Sequence, residues 1–444
     1  MSATTLSNFL YQLNEYWLAG GMPAETYGKA GTLYKMIGDQ FGINADWQGD
    51  GTAKHPVRRG LNGAIGNNFA KSFSHSVPSS GEQFLVPNAR HWAHMIIDDR
   101  ALAFTRSPSA MRSALSGQMD EMEQTVEGWM RATSYLLWDD GRHLLAKGDA
   151  NYDVALTTLV FRNVDNRNKF EIGDIIRLVP IAAAAAAAPG TLPAPRVGTL
   201  TVSKVLSNGL EVTAAINTVV GADNTDFVSK DVYFDSAKAA DNVPFTGVFG
   251  YLAENETLAN STFYGVDRSL NPNRLAGLRV NLTGTETPWD ICSKMMTTVE
   301  TDGAMLDVIY IPTSQVAALM QEMGSRNVTY RAVEIPVKQA QNLVIGVTAT
   351  EVVYGSQRAY IMSDRFLSDP TVSAADDTRY VGLYSSDCKV ISADGASWKD
   401  YDGDGARLSQ VGVTEDYAAQ YGVFGQYTYD NPLNAIVAKV GANL

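Results

Sequence analysis

The sequence has 444 residues with a net charge of −13, is 45% hydrophobic and 19% charged, and carries two cysteines. That length supplies two or three domains with a sizeable buried core. The acidity argues against a nucleic-acid-binding surface over the whole molecule, and two cysteines exclude a disulfide framework.

Cys292 and Cys388 read as two reduced thiols of a reducing compartment. The N-terminus lacks a basic region followed by a continuous apolar core, so it does not read as a signal peptide, and no apolar run is long enough for a membrane span. The expectation is a chain made in the cytoplasm with no membrane partner. In residues 5–19, Leu6, Phe9, Leu10, Leu13, Trp17 and Leu18 form an amphipathic helical pattern ended by Gly20-Gly21. Glycines then recur from Gly42 to Gly66, with His55-Pro56 among them, which predicts extended, turn-rich chain.

The next stretch, GEQFLVPNARHWAHMIIDDRALAFT, has two apolar runs around the turn-prone Pro87-Asn88 and Asp98-Asp99. It predicts the long strands of a projecting hairpin. Residues 51–106 hold Lys54, Arg58, Arg59, Lys71, Arg90, Arg100 and Arg106 against Glu82, Asp98 and Asp99, a net +4 that leaves −17 for the remainder. A chain divided in this way can dock its basic segment on an acidic neighbour of its own type.

From Ser107 to about Asp140 the apolar residues Met111, Leu115, Met119, Met122, Val126, Trp129, Leu136 and Leu137 recur every three or four positions. That spacing predicts one long helix, with Ser107 as N-cap, Pro108 in the first turn and Gly141 as exit. It would be roughly 50 Å long, a brace for a flat subunit.

Residues 165–245 turn to strand-like alternation, and Ser207-Asn208-Gly209 predicts a hairpin turn. The tract Ala182–Ala188, bounded by prolines, is too short to hold a helix alone and reads as a surface loop. Thr287, Pro288 and Asp290 mark a helix start, LDVIYIP reads as a buried strand, and TSQVAALMQEMG as a second helix closed by Gly324. Further strands run to the C-terminus, giving an α+β body.

The chain has no G-x-S-x-G elbow and no H-E-x-x-H pair, and Tyr27-Gly28-Lys29-Ala30 lacks the spacing and hydroxyl of a phosphate loop. His91 and His94, three apart on a strand, would face opposite ways rather than share a metal. The Asp400–Gly405 run imitates the opening of a calcium loop, but Val411 stands where a bidentate glutamate is required, so it reads as a turn. Asp98-Asp99 and Asp139-Asp140 are adjacent carboxylates that diverge on any regular element, and neither makes an acid/base dyad. The expectation is no enzyme, no cofactor and no metal.

The order of parts, with FYGVDRSLNPN, LDVIYIPTSQVAALMQEM and YGVFGQYTYDNPLNAIVAKV added to the hairpin and helix stretches above, resembles major capsid proteins of tailed double-stranded DNA bacteriophages. The resemblance implies the Hong Kong 97-type fold, with an N-terminal arm at 1–50, an E-loop at 51–106, and a spine helix and peripheral domain at 107–165. An inserted small β domain would occupy 166–260, a return to the peripheral domain 261–284, an axial domain 285–425, and a C-terminal strand and tail 426–444. It implies a virion shell protein, assembled in the host cytoplasm, that self-associates into hexamers and pentamers of an icosahedral capsid around double-stranded DNA without reading its sequence. Scaffolding, portal and decoration proteins would be its other partners. Lys54, Arg58, Arg59, Lys71, Arg90 and Arg100 would make inter-subunit contacts. Met111, Leu115, Met119, Met122, Val126 and Trp129 would form the spine-helix core. Two alternatives stand beside this: a cellular nanocompartment shell of the same fold, or a β-rich hydrolase or glycan-binding protein using Tyr233, Phe234 and Phe245.

Overall fold

A computed structural model describes residues 31–37, 41–43, 52–60, 67, 71–72, 80–97, 123–150, 153–234, 243–325, 332–336, 346–354, 357–374, 376–399, 409–410 and 417–440. The helical pattern of residues 5–19 and the calcium-like run lie outside them.

The largest sheet has seven strands, in the order Leu278–Leu282, Ile436–Val440, Tyr380–Leu383, Val308–Pro312, Gln357–Asp364, Gly346–Tyr354, Ala332–Pro336. It is mixed: the first pair and the pair of Val308–Pro312 with Gln357–Asp364 are parallel, and the rest are antiparallel. Val308–Pro312 is buried throughout, as LDVIYIP predicts, because both sheet faces are covered. Ile309 and Ile311 face one apolar cluster, while Val308 and Tyr310 face the other. The helix Pro288–Asp302 seals the first face with Ile291, Cys292, Met295, Met296 and Val299, a helical stripe. Thr287 Oγ1 accepts from the Asp290 amide at 3.3 Å, Pro288 opens the helix, and Gly303 closes it at φ +66°. The second helix, Val316–Ser325, runs through Gly324 rather than ending on it.

Beside this body, six short strands follow one another in the order Ala146–Lys147, Phe227–Lys230, Ile175–Val179, Leu200–Val205, Gly209–Val212, Thr158–Val160. The two outer strands meet through a Gly148–Phe161 bridge and the bonds Arg162 N to Lys147 O (2.9 Å) and Asp149 N to Val160 O (2.9 Å). The sheet closes on itself as a small barrel, which leaves no free edge. The hairpin through Ser207-Asn208-Gly209 is present, with Leu206 N bonded to Gly209 O at 2.9 Å. Two of the strands come from before residue 166, because closure requires Ala146–Lys147 and Thr158–Val160.

The alanine tract corrects the loop reading. Ile181–Ala186 is a helix whose Ala183 and Ala184 pack with Val179, Phe227, Leu144 and Phe234, while Arg142 Nη1 donates to Ala184 O at 3.0 Å. Six residues are too few for an autonomous helix, so tertiary packing and this donor supply what length does not.

The hairpin reading is also corrected. Ser80–Pro87 pairs antiparallel with Thr52–Gly60, in a register that sets Thr52 opposite Pro87 and Phe84 opposite His55. Ala89–Ile97 pairs instead with the 13-residue strand Tyr417–Tyr429. Pro87-Asn88 is thus a crossing point between two sheets and not a hairpin turn. The apolar runs on either side of it are strands, but their partners lie far away in the sequence.

Of the predicted long helix, residues 123–136 are described and helical. It ends five residues before Gly141 because the next carbonyls are taken elsewhere: Leu137 O accepts from Val248 N (2.7 Å) and Asp139 O from Gly247 N (2.9 Å). Gly141, at φ +85°, shapes the following turn.

Candidate assembly surface

The Thr52–Gly60/Ser80–Pro87 hairpin has two unlike faces, as alternation requires. Ala53, Val57, Phe84 and Val86 are buried, and Phe84 meets Tyr251 and Phe263 edge-on at 5.5 and 5.9 Å. Leu85 N donates to Tyr264 O at 2.9 Å, and Asn271 Nδ2 donates to Arg59 O at 3.0 Å at the far end of the strand. His55 Nε2 lies 3.6 Å from Asp430, and burial holds its pKa below the usual imidazole value. The described strands are therefore fastened to the body along their length.

Lys54, Pro56 and Arg58 lie on the opposite, exposed face of the same strand. Arg59 is half-exposed and pairs with Glu82 at 2.8 Å. Lys71 is exposed. Arg90 is exposed, with its guanidinium 5.6 Å above the Phe424 ring. Arg100 lies outside the described residues. The fold thus brings Lys54, Arg58 and Arg59 together on one strand and sets Arg90 on a different sheet.

Met111, Leu115, Met119 and Met122 of the proposed helix core also lie outside the described residues. Val126 is half-buried and Trp129 is 1% exposed. The Trp129 ring sits edge-on to Tyr421 at 5.2 Å and beside His91 at 5.5 Å.

His91 is buried and His94 exposed, so the two face opposite ways as alternation predicts. Burial, with nearby His143 adding to it, pushes the His91 pKa down to about 3, so this imidazole is neutral at physiological pH. The Asp139-Asp140 pair also diverges. Asp139 accepts from the Gly141 and His143 amides and lies 2.8 Å from His143 Nδ1, while Asp140 accepts from Arg142 Nε at 2.6 Å. Each carboxylate has its own partner, so the two do not face each other as a dyad.

Tyr233, Phe234 and Phe245 are used in packing. Tyr233 OH is 2.7 Å from Tyr135 OH and its ring lies tilted 4.5 Å from that of His143; Phe234 sits by the alanine helix, and Phe245 is buried beside His91. Among the described residues no group of three or more His, Cys, Asp or Glu is placed to hold a metal ion, and no helix is long and apolar enough to cross a membrane.

One constellation had no sequence signal. Asp369, Asp377, Arg379, Glu254 and Lys439 meet in the interior where the barrel joins the body. Their separation along the chain hides them from any spacing rule.

No family model matches the sequence, and no curated protein matches it. Among solved structures, the chain is similar to the capsid asymmetric unit of cyanophage A-1(L), at 10% identity and TM-score 0.48 over 93% of this chain and 94% of that one. It is also similar to the putative capsid protein of a prophage of E. coli CFT073, at 8% identity and TM-score 0.36 over 99% and 100%. A third likeness is to the holo-SrpI encapsulin complex of Synechococcus elongatus PCC 7942, at 7% identity and TM-score 0.35 over 88% and 84%.

Proposed function

We propose that this chain is a structural, non-enzymatic shell subunit: a capsid protein of a tailed double-stranded DNA phage that self-associates into hexamers and pentamers around the genome. The observation that carries the reading is the two-faced hairpin. Its inner face is locked to its own body by Phe84 and Val86, and its outer face presents Lys54 and Arg58. A catalytic scaffold has no need of a basic strip fixed on a rigid, fully fastened ribbon. A tile that docks on an acidic copy of itself does, because complementary charge sets the register of encounter.

The other assigned groups fit the same role. Arg59 and Arg90 would be rim contacts, with Lys71 and Arg100 on the segment beyond the fastened strands. The candidate helix, with Trp129 at its buried end, would brace the plate. The closed barrel would be the inserted domain, and the seven-stranded sheet with its two helices the axial domain. Scaffolding, portal and decoration proteins would be partners, and the net-acidic chain would enclose duplex DNA without holding it tightly.

Sedimentation velocity on the expressed full chain, with nucleic-acid analysis of the fast-moving species, tests this. Large particles containing DNA fit the capsid reading. Large particles with protein cargo and no nucleic acid move the assignment to a nanocompartment shell. A chain that remains a monomer at every concentration overturns both.

A further inference from the structure

The ribbon Thr52–Gly60/Ser80–Pro87 is a sheet of two strands, so each strand has an outer edge. On Ser80–Pro87 the body takes that edge at Leu85, whose amide donates outward to Tyr264 O at 2.9 Å. This one bond fixes the phase of the ladder. In an antiparallel pair, opposite residues alternate between exchanging both backbone bonds and turning both away. Leu85 stands opposite Lys54, so that pair turns outward, and with it Pro56–Gln83 and Arg58–Gly81. The register runs unbroken from Thr52 to Arg58, so the alternation holds over the whole stretch.

Lys54, Pro56 and Arg58 therefore present their backbone groups to the outer edge of Thr52–Gly60, and all three residues are exposed. Among the described residues no strand lies along this edge. The body closes it beyond Arg58, where Asn271 Nδ2 donates to Arg59 O at 3.0 Å. An open edge of this kind is a template on which another chain can add a strand. Pro56 stands at the middle of the open stretch, and proline has no N–H to offer.

The spacing sets the block against a second copy in particular. Two identical edges that meet about a two-fold axis run antiparallel and pair about a common centre. With Pro56 at that centre, Pro56 meets Pro56, and Lys54 meets Arg58 on either side. Both bonds of the central pair then lack a donor and leave their carbonyls unpaired. Like charges stand directly opposite each other at both ends.

We propose that Pro56, flanked by Lys54 and Arg58, is a gatekeeper that shuts this edge against the same edge of a second copy. The strip is thereby left to meet other molecules through its side chains. This rests on the geometry of the ribbon and stands whether or not the chain builds shells.

Pro56→Thr combined with Arg58→Glu restores the missing donors and sets Lys54 opposite a carboxylate at both ends. Both positions turn outward and are exposed, so neither change removes a backbone bond of the ribbon. Hydrogen–deuterium exchange of the full chain, read at single residues with sedimentation equilibrium on the same samples, tests the gatekeeper. In the dilute parent the Lys54 and Arg58 amides should exchange much faster than those of His55 and Val57, which face Phe84 and Glu82 across the ribbon. The double variant should form a two-fold dimer, with protection at positions 54, 56 and 58 that rises with concentration. Arg58→Glu alone, which keeps Pro56, should dimerise at least about tenfold more weakly.

Equally slow exchange at all four amides of the dilute parent overturns the proposal, because the edge would already be filled. A double variant without concentration-dependent protection overturns it too, as does one that dimerises no better than Arg58→Glu. Should the double variant fail to fold, Pro56→Thr with Lys54→Glu builds the same ladder with its charges exchanged, and Lys54→Glu alone becomes the control. Particles formed by the parent, or their absence, bear on the shell reading and leave this result unchanged.

Discussion

The indole Nε1 of Trp129 donates a 3.1 Å hydrogen bond to the backbone carbonyl of His91. That bond joins the helix of residues 123–136 to the strand Ala89–Ile97, which itself lies along Tyr417–Tyr429. One side chain thus links three distant parts of the sequence, with Tyr421 edge-on to the same ring. Replacing Trp129 with Ala should cost about 3–5 kcal/mol, from lost burial plus the cavity left behind. Trp129→Phe keeps most of the packing and loses the bond, and should cost about 1–2 kcal/mol less than the alanine change. Urea unfolding of the three proteins measures both; a Trp129→Ala midpoint equal to the parent's would show the ring to be exposed.

Arg379 stands between the half-buried Glu254 and the buried Asp369, and its guanidinium lies 4.5 Å over Phe249. Arg379→Met leaves both carboxylates with Lys439 alone, and removing one partner of a buried pair typically costs about 3–5 kcal/mol. Chemical denaturation at pH 8 should show the larger loss, because burial pushes the pKa of nearby Asp377 up to about 7 and it too is ionised there. At pH 5.5 the loss should be smaller, because there the proton on Asp377 has removed one negative charge.

Gly247 lies against the end of the helix so closely that a Cβ there would stand 2.1 Å from Leu137 O. The backbone must move, and the bonds from Gly247 N to Asp139 O and from Val248 N to Leu137 O would go with it. Gly247→Ala should therefore destabilise by about 3 kcal/mol, at the upper end of overpacking costs. Thermal melting checks this, with Gly128→Ala as control: a Cβ at Gly128 meets nothing within 4 Å, and this exposed helical position should gain stability slightly.

Both thiols are buried, and burial pushes the Cys292 pKa up to about 12 and that of Cys388 well above its usual value. The thiolate is the reactive form. A disulfide reagent at pH 8 should titrate neither cysteine in the native protein and both in denaturant. Rapid labelling of one thiol in the native state would show that its cover opens.

Arg58 and Arg59 differ in what a charge reversal would remove. Arg58 is exposed, while Arg59 forms a half-exposed pair with Glu82 worth at most about 1 kcal/mol. Replacing both with Glu should leave the monomer folded, with a circular-dichroism spectrum like the parent's, while lowering particle yield. Unchanged particle yield would remove the basic face from the account of assembly.

Local chemistry in this sequence is readable wherever neighbours decide the outcome. Thr287 and Pro288 open their helix, Ser207-Asn208-Gly209 turns its hairpin, and alternation separates His91 from His94. Reading fails where distant residues decide. Pro87-Asn88 has the chemistry of a turn, but strand partners at Thr52–Gly60 and Tyr417–Tyr429 draw its two sides into different sheets. The alanine tract is too short to be helical alone, and packing under Phe227 and Arg142 makes it so. Barrel closure and the Asp369–Asp377 joint depend on contacts spread from residue 146 to residue 439, which no periodicity displays.

The central claim, that this chain works as a tile among copies of itself, is tested most directly by negative-stain electron microscopy of the expressed full-length protein. The account predicts closed shells, or the rings of five and six from which they are built. Fields of separate monomers, at high concentration and across the pH range where the protein is folded, would contradict it.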